Sequence, residues 1–471
     1  MRKKNTRQIF ENVAVVDAGT KGKAIAKAPD GRVIFLQNAV PGDVVTVQTT
    51  KKRKAYFEGI VTQIHEYSDK RTSPHCQHFG LCGGCKWQNM SYDHQLYYKQ
   101  REVENNLKRI GHLDIPELLP IKGAKEQYFY RNKMEFSFSD TRWLYPEELK
   151  QEEPIKDKNA LGLHIPGMWD KVLDLKECHL QADPSNAIRL EIKRFATDRR
   201  MPFFNPRSQQ GLLRTLMIRT ATTGELMVLI QFAKEDKSSI ELILDHIQKT
   251  FPEITSLLYV INQKQNDTLY DQDIICYHGT DHILEEMEGL KFKIDAKSFY
   301  QTNSAQAYEL YKVVRDFANL KGEELVFDLY TGTGTIAQFI AKKANKVIGI
   351  EVVPEAIEAA LTNAEANGIT NTEFIVGDMK SVLNDAITTK YGVPDVLITD
   401  PPRDGMHKDV VEQLLKMAPD RIVYVSCNSA TQARDLSLLK EAYKILKVQP
   451  VDMFPQTHHV ENVVLLEKRN A

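Results

Sequence analysis

The stretch that most constrains the fold is a strand that runs into a glycine-rich turn and then a helix. The apolar run from Leu325 to Leu329 is typical of a buried strand, and Tyr-Thr-Gly332-Thr-Gly334-Thr follows it. A second strand, from Lys346 to Glu351, ends in an acid 19 positions after Gly332. This spacing suits a carboxylate that accepts both ribose hydroxyls of a nucleoside cofactor.

Further acids in the same region indicate which cofactor is bound. From about residue 290 onward strands alternate with helices, which predicts a doubly wound α/β domain. Asp378 and Asp400 each follow an apolar run of strand character. Acids at successive strand ends line one crevice, and such a crevice suits the adenosine and sulfonium of S-adenosylmethionine better than a pyrophosphate. Two alternatives stay open: each acid alone could be a helix amino cap, and a Rossmann dehydrogenase shares the glycine-rich turn.

Cys427 is the candidate nucleophile. It follows the strand-like run Arg421-Ile-Val-Tyr-Val-Ser and precedes a helix predicted from about Thr431 to Glu441. A helix amino terminus favours a thiolate over a thiol, so we expect a reactive sulfur at this position. The alternative is a buried core cysteine.

The methyl acceptor is predicted to be carbon rather than nitrogen. Asp400-Pro-Pro-Arg403 is similar to the motif of enzymes that methylate exocyclic amines, but those need an aromatic residue where Arg403 stands. Carbon-5 of uracil becomes nucleophilic only after a thiolate adds to carbon-6, and a base must then remove the carbon-5 proton. Glu461, at the start of an apolar strand, is the candidate base, with His458 and His459 as rivals.

The first 70 residues predict a small β-barrel that contacts RNA. Short β-rich runs from Ile9 to about Glu66 alternate with turn signals, which indicates an oligonucleotide-binding barrel. The basic run Lys51-Lys-Arg-Lys54 precedes Tyr56 and Phe57 and could hold phosphates and stack bases; the alternative is a solvated hairpin tip. Residues 1–70 hold 13 Lys and Arg against 7 Asp and Glu, although the whole chain carries a net charge of -1.

A cysteine-rich loop predicts a metal site. Cys76, Cys82 and Cys85 form a C-x5-C-G-G-C motif, and Cys178 is the best candidate for a fourth thiolate. Four thiolates suit an iron–sulfur cluster or structural zinc, and the nearby histidines keep zinc a rival. Cys276, in an apolar run, is predicted to be a core residue.

The sequence between the barrel and the α/β region predicts strands that carry cations. Arg131, Lys133, Arg214 and Arg219 lie on two alternating runs, and a sheet face bearing them could meet an RNA backbone. The alternative for each residue is an ion pair with a nearby acid. Because no apolar run could span a bilayer and no signal peptide is recognisable, we expect a cytoplasmic protein without a membrane partner.

The motifs together resemble the RNA 5-methyluridine methyltransferases, and most closely the 23S ribosomal RNA (uracil-5-)-methyltransferases with a TRAM domain and a 4Fe–4S cluster. The resemblance rests on Phe299-Tyr-Gln301-Thr-Asn303, Asp400-Pro-Pro-Arg-Asp-Gly405, Ser426-Cys427-Asn428, Ala433-Arg434-Asp435 and His459-Val460-Glu461. Two departures affect possible contacts: Thr331 stands where many members have Cys, and Ser429 stands where Pro is common.

The resemblance implies a role for each site residue. It implies that the cluster is bound by Cys76, Cys82, Cys85 and Cys178. It implies that S-adenosylmethionine is bound by Gln301, Tyr330, Glu351 and Asp400, to which the strand-end pattern adds Asp378. It also implies that Cys427 is the nucleophile and Glu461 the base.

The expected protein is a monomer that methylates carbon-5 of a uridine in structured RNA, with 23S ribosomal RNA as the favoured substrate. The expected division is a TRAM-like barrel at 1–68, a central α+β domain at 69–289 and a Rossmann-like methyltransferase domain at 290–471. Three alternatives stay open: a tRNA uridine-5 methyltransferase, an RNA cytosine-5 methyltransferase, and a metal-stabilised RNA-binding protein without activity.

Overall fold

The computed structural model describes residues 7–145, 147–151, 153, 155 and 157–469. Its contacts divide the chain into two compact units. Unit 1 comprises Met1–Gly80, Gly84–Gln127 and Asp400–Ala471, and unit 2 comprises Leu81–Gly83 and Tyr128–Thr399. Each unit therefore combines segments that are distant in sequence. The expected three-part division stays a prediction. None of the described helices is long and apolar enough to cross a membrane.

The amino-terminal part of unit 1 is a closed five-stranded barrel with the strand order β1-β2-β3-β5-β4. Its strands are β1 (Ile9–Ala18), β2 (Ala24–Lys27), β3 (Val33–Gln37), β4 (Val44–Lys52) and β5 (Tyr56–Glu66). Alternate residues of the strands are buried because successive side chains point to opposite faces, and Val45, Val47 and Phe57 meet in the barrel core. The predicted barrel is confirmed.

The rest of unit 1 combines a long helix with three antiparallel strands. Its helices are α1 (Tyr92–Arg109), α9 (Lys408–Met417) and α10 (Ser429–Leu439), and its strands are β19 (Arg421–Ser426), β20 (Tyr443–Val451) and β21 (Glu461–Lys468). Strand β21 pairs with both β19 and β20, and helix α1 packs against α10. Strand β21 is buried along most of its length, which explains its nearly continuous apolar sequence.

Unit 2 contains a seven-stranded sheet with the order β12-β11-β10-β9-β6-β7-β8. Its strands are β6 (Lys133–Ser139), β7 (Ala160–Ile165), β8 (Met168–Asp174), β9 (Leu213–Thr220), β10 (Leu226–Phe232), β11 (Ser256–Ile261) and β12 (Ile275–Gly279). The helices α2 (Ser185–Asp198) and α3 (Lys237–Thr250) follow β8 and β10 in the chain. A hairpin of β13 (His282–Met287) and β14 (Leu290–Asp295) follows the sheet.

One prediction for this region is wrong. Cys276 is exposed, because its apolar run forms the edge strand β12 and not a core strand. For two residues of the possible cationic face, the structure favours the alternative of partners within the protein. Arg214 is buried and lies 2.6 Å from Asp267, and buried Arg219 donates to the carbonyl groups of Asp295 and Ser298. These guanidinium groups stabilise loops of the protein and are not available to an RNA backbone.

Unit 2 also contains four parallel strands with intervening helices, as the alternating pattern predicts. The strands are β15 (Leu325–Leu329), β16 (Lys346–Glu351), β17 (Thr372–Val376) and β18 (Val396–Thr399). The helices are α4 (Ser304–Ala318), α5 (Thr335–Ala341), α6 (Pro354–Ala366), α7 (Met379–Val382) and α8 (Asp385–Tyr391). Parallel pairing of β17 with β16, β16 with β15 and β15 with β18 sets their carboxyl ends along one edge.

Candidate functional site

The glycine-rich turn after β15 begins with a residue in the left-handed region of backbone space. Tyr330 has a φ of 61°, and Gly332 and Gly334 follow with φ of 55° and 73°. A Cβ atom at Gly334 would lie 2.8 Å from the Phe374 ring, so only glycine fits between the turn and β17. The Thr331 hydroxyl donates to the buried Asp328 carboxylate at 2.5 Å, which fixes the start of the turn.

Glu351 is held at the end of β16 by backbone donors. One of its carboxylate oxygens accepts from the Gly332 N–H at 3.2 Å, and the other accepts from Val352 and Val353 at 2.9 and 3.1 Å. These bonds tie the second strand end to the glycine-rich turn. They orient a carboxylate where the sequence predicts the ribose of a nucleoside cofactor.

The other predicted cofactor residues of unit 2 have local structural roles. Asp378 is the amino cap of α7, because its side chain accepts from the Lys380 N–H at 2.8 Å. This is the alternative that its sequence position left open. Gln301 lies between β14 and α4, where its backbone carbonyl accepts from the Asn132 side chain at 2.9 Å. Contacts of either side chain with a cofactor stay predictions.

In unit 1, the segment that begins at Asp400 is hydrogen-bonded to the start of α10. The Arg403 carbonyl accepts from the Asn428 side-chain amide at 2.9 Å and from the Thr431 hydroxyl at 3.1 Å. Gly405 has a φ of 76°, and a Cβ atom there would lie 2.6 Å from the Asp435 carboxylate. The segment therefore needs glycine to lie this close to α10. Burial raises the pKa of Asp400 to about 6.

Cys427 lies between β19 and α10, as predicted, but its thiol is not activated in the structure. Burial, followed by the charges of Glu461 and Asp400, raises its pKa to about 11. The Arg403 side chain hydrogen-bonds to the thiol and opposes this shift. The expected thiolate is therefore wrong for the protein alone, because burial and two carboxylates outweigh the helix terminus and one arginine.

Glu461 is the first residue of β21 and is only 6% exposed. Burial, reinforced by the charge of Asp400 and opposed by Arg403, raises its pKa to about 8. No hydrogen bond to its carboxyl group is formed by the described part of the chain. When it is deprotonated, a carboxyl group with this raised proton affinity is a stronger base than an ordinary carboxylate.

His458, one of the two histidines before Glu461, differs from it in proton affinity. Burial, with added repulsion from neighbouring cations, lowers the pKa of His458 to about 3. Its ring lies 4.1 Å from that of His459, centroid to centroid. At neutral pH His458 is uncharged and is a much weaker base than Glu461. This difference favours Glu461 over His458 as the base.

At Gly22 the barrel packs against the loop between β20 and β21 that contains His458. Gly22 has a φ of 70°, and a Cβ atom there would lie 3.0 Å from Lys86 Cβ and 3.4 Å from His458 Nδ1. The Trp87 indole N–H donates to the Gly22 carbonyl at 3.3 Å. A turn of the barrel thus borders the segment that leads to Glu461.

A buried ion pair fixes the same loop from the side of α1. Lys99 Nζ lies 2.5 Å from Asp452 Oδ1, and both side chains are fully buried. The Tyr92 hydroxyl donates to the other Asp452 oxygen at 2.7 Å, and Lys99 also donates to the Phe454 carbonyl at 3.1 Å. Burial lowers the pKa of Lys99, whereas Asp452 opposes the shift.

A pair of glutamines adds a second set of bonds between α1 and this loop. The Gln95 amide donates to Gln456 Oε1 at 3.0 Å, and its oxygen accepts from the Gln456 backbone N–H at 3.0 Å. These partners could not be predicted from the sequence because they are 361 positions apart. The one available signal is that Gln95 and Lys99 lie on the same buried face of α1 as the apolar residue Val103.

The cysteines of the predicted metal site are divided between the units. Cys76 and Cys85 belong to unit 1, and Cys82 and Cys178 belong to unit 2. Among the residues that the structure describes, no three His, Cys, Asp or Glu side chains are arranged to hold a metal ion. The metal site therefore stays a prediction. Glycine is needed in the motif itself, since a Cβ atom at Gly83 would lie 2.8 Å from the His164 carbonyl oxygen.

Comparisons with known proteins agree with this architecture. Residues 277–469 match the model of the tRNA (uracil-5-)-methyltransferase family, and residues 9–62 match the TRAM domain. The chain is 56% identical over 452 residues to an uncharacterized RNA methyltransferase of Bacteroides thetaiotaomicron, covering 95% of this chain and 99% of that protein. It is 37% identical to an uncharacterized RNA methyltransferase of Chlorobaculum tepidum, covering 97% of this chain and 96% of that protein.

A solved structure is also similar over nearly the whole chain. The tRNA (uracil-54, C5)-methyltransferase of Pyrococcus abyssi, in complex with S-adenosyl-L-homocysteine, superposes with a TM-score of 0.75. The sequences are 27% identical, and the match covers 96% of this chain and 100% of that chain. With its barrel, its strand-end acids, its half-buried cysteine and its buried glutamate, the chain belongs to the RNA (uracil-5-)-methyltransferase family with an amino-terminal TRAM domain.

Proposed function

We propose that the protein transfers a methyl group from S-adenosylmethionine to carbon-5 of a uridine in structured RNA, through a covalent adduct on Cys427. The observation that carries the proposal is the electrostatic environment of Cys427 in unit 1. Arg403 hydrogen-bonds to the thiol, and Glu461 and Asp400 lie close enough to raise its pKa. These surroundings support a site in which Cys427 is the nucleophile, Arg403 stabilises its anion and Glu461 is the base.

The proposed reaction begins when the Cys427 thiol loses its proton to water and Sγ adds to carbon-6 of the uracil, which places the electron pair of the ring double bond on carbon-5. Bound S-adenosylmethionine supplies the methyl group as an electrophile. Glu461 then takes the proton from carbon-5, the double bond forms again, and the sulfur leaves carbon-6 as a thiolate. Arg403 stabilises that thiolate by its hydrogen bond and charge.

The raised pKa of Cys427 gives this scheme a regulatory consequence. A protonated thiol in the free protein is less reactive toward oxidants than a thiolate. Activation of the Cys427 thiol must therefore come with binding of the methyl donor. The positive charge of the donor opposes the carboxylates that hold the thiol protonated.

Adduct trapping on RNA that contains 5-fluorouridine tests the nucleophile. Fluorine at carbon-5 cannot be removed as a proton, so the covalent complex of the wild-type protein persists. We expect Cys427→Ala to form no adduct and to lose methyl transfer by at least about 10⁴-fold. Cys276→Ala is the matched control, because Cys276 is exposed on an edge strand and should leave trapping unchanged. An adduct that survives Cys427→Ala would refute the assignment.

The class of RNA that carries the target uridine is a further part of the proposal. The cysteine motif supports 23S ribosomal RNA by resemblance, whereas the name of the Pyrococcus abyssi relative specifies tRNA. Mapping 5-methyluridine in both RNA classes from a deletion strain decides between them. A parallel analysis of product nucleosides excludes or establishes cytosine as the target.

We also propose that Cys76, Cys82, Cys85 and Cys178 bind a 4Fe–4S cluster, with structural zinc as the alternative. The chemistry of four thiolates supports the proposal, and no step of the reaction above passes through the metal. Anaerobic purification followed by iron, sulfide and zinc analysis tests it. A colourless protein with stoichiometric zinc would refute the cluster, and a protein without either metal would refute the site.

A further inference from the structure

The strongest unassigned feature is a cleft on the seven-stranded sheet of unit 2. It has a volume of about 400 Å³, which is within the usual range of roughly 300–1,000 Å³ for small-molecule sites. Its walls come from β6, β7, β8 and β9 and from the loops after α2 and β11. No residue of the proposed catalytic site lines it.

Trp169, in the β7–β8 hairpin, lines the cleft and is 62% exposed. By contrast, Trp87 in unit 1 is only 4% exposed. Leaving an indole in water sacrifices the free energy of its burial, and exposed aromatic residues often mark binding surfaces. The Arg207 guanidinium lies 5.6 Å from the Trp169 ring centroid.

The charged groups around the cleft are already paired within the protein. Arg207 Nε lies 2.6 Å from Asp170, and Arg214 Nε lies 2.6 Å from Asp267. Arg214 also donates to the Asn262 and Lys264 carbonyls. The cleft therefore offers no unpaired cation in its floor for a phosphate group.

The remaining polar groups of the cleft are neutral. Burial lowers the pKa of His164, so its imidazole is uncharged at neutral pH, and its Nε2 lies 3.1 Å from the Ser137 hydroxyl. Gln265 lines the rim, and its amide offers both a donor and an acceptor. An aromatic wall beside neutral donors and acceptors suits a nucleobase, which stacks through its face and hydrogen-bonds through its edge.

We propose that this cleft binds one unstacked nucleotide of the substrate RNA, with its base against Trp169 and its edge toward Ser137 and Gln265. The site would favour RNA in which one nucleotide is unpaired and unstacked. The proposal depends on the RNA substrates of the family and not on the covalent chemistry proposed above.

Binding of a mixed-sequence single-stranded RNA oligonucleotide to the full-length protein, compared with its duplex, tests this site. We expect Trp169→Ala to raise the Kd for the single strand by about 10-fold and Trp169→Phe to retain most of the affinity. Duplex binding should change by less than about 2-fold, because paired bases cannot stack on a side chain. Tyr270→Ala is the matched control, because Tyr270 is an exposed aromatic residue of unit 2 outside the cleft.

Tryptophan fluorescence gives a second, local measurement. The single strand should quench the emission of the wild-type protein, and Trp169→Phe should remove that quenching while the other two tryptophans remain. Gln265→Ala, in an exposed loop, should weaken the single-stranded complex without affecting folding. Unchanged single-strand affinity in Trp169→Ala, or an equal loss of duplex affinity, would overturn the proposal. Because none of these measurements involves methyl transfer, failure of the Cys427 mechanism would not affect them.

Discussion

Two glutamates at strand ends differ in their surroundings in a way that supports the two different tasks proposed for them. Glu351 in unit 2 accepts three backbone N–H groups, which hold its carboxylate in a fixed orientation. Glu461 in unit 1 is buried without such donors, and its pKa rises to about 8. The difference indicates that backbone donors prepare a carboxylate for binding, whereas their absence in a buried site prepares one for proton transfer.

The largest expected effect comes from removing the proton acceptor. Glu461→Gln keeps the size of the side chain but cannot take the carbon-5 proton, so the resolution of the adduct should slow by about 10³-fold. The Kd for S-adenosylmethionine should stay the same. Single-turnover kinetics with methyl-labelled donor measures both steps. Glu467→Gln, on the same strand and 40% exposed, is the control. Normal turnover in Glu461→Gln would remove this residue as the base.

The next effect concerns the loop that precedes Glu461. Lys99→Met leaves Asp452 buried without its cation, and breaking such a pair typically costs about 3–5 kcal/mol of unfolding free energy. Lys99→Met combined with Asp452→Leu should recover part of that loss, since both charges are then gone. Chemical denaturation measures the stability of all three variants. If the double variant were the least stable, the ion pair would not be the source of the effect.

The rate at which the Cys427 adduct is resolved should depend on pH through Glu461. Below pH 8 the raised pKa keeps Glu461 mostly protonated, and a protonated carboxyl group cannot act as a base. The rate should therefore rise about 10-fold per pH unit toward pH 8 and level off above it. The rate of adduct resolution, followed from pH 6 to 9, is the measurement. A rate that stays level across this range would contradict the role of Glu461.

The smallest effect is expected at the binding carboxylate. In Glu351→Gln an amide N–H₂ would face a backbone N–H, so the glycine-rich turn loses an acceptor. The Kd for S-adenosylmethionine should rise by about 10-fold, since hydrogen bonds to charged groups are worth roughly 1.5–3 kcal/mol. Calorimetry measures it, with the exposed Glu355→Gln as the control. If Glu351→Gln instead slowed proton transfer and left the Kd for S-adenosylmethionine unchanged, the roles proposed for the two glutamates would be reversed.

The barrel, the parallel strands and the elements around Cys427 can be predicted from the sequence because they depend on local patterns. An apolar run followed by a turn or cap signal places a strand end within a few residues. Cys427 and Glu461 each lie at the strand terminus that the sequence predicts.

The properties that depend on distant residues could not be predicted in the same way. The helix terminus at Cys427 suggested a thiolate, but the sign of its pKa shift is set by burial and by two carboxylates from other segments. Cys276 was assigned to the core because an edge strand and a central strand can have the same apolar sequence. The sequence alone allows Arg214 and Arg219 to contact RNA, but both are buried and bind acceptors within the protein.

The long sequence separation within unit 1 has a consequence for synthesis of the protein. Lys99 and Asp452 are 353 positions apart, so the lysine leaves the ribosome long before its counterion is made. Until then helix α1 cannot bury that charge without a large penalty, and its final packing must wait. An incomplete chain cannot complete the surroundings of Glu461. The nascent enzyme is therefore expected to remain inactive toward RNA until its carboxyl-terminal segment has emerged.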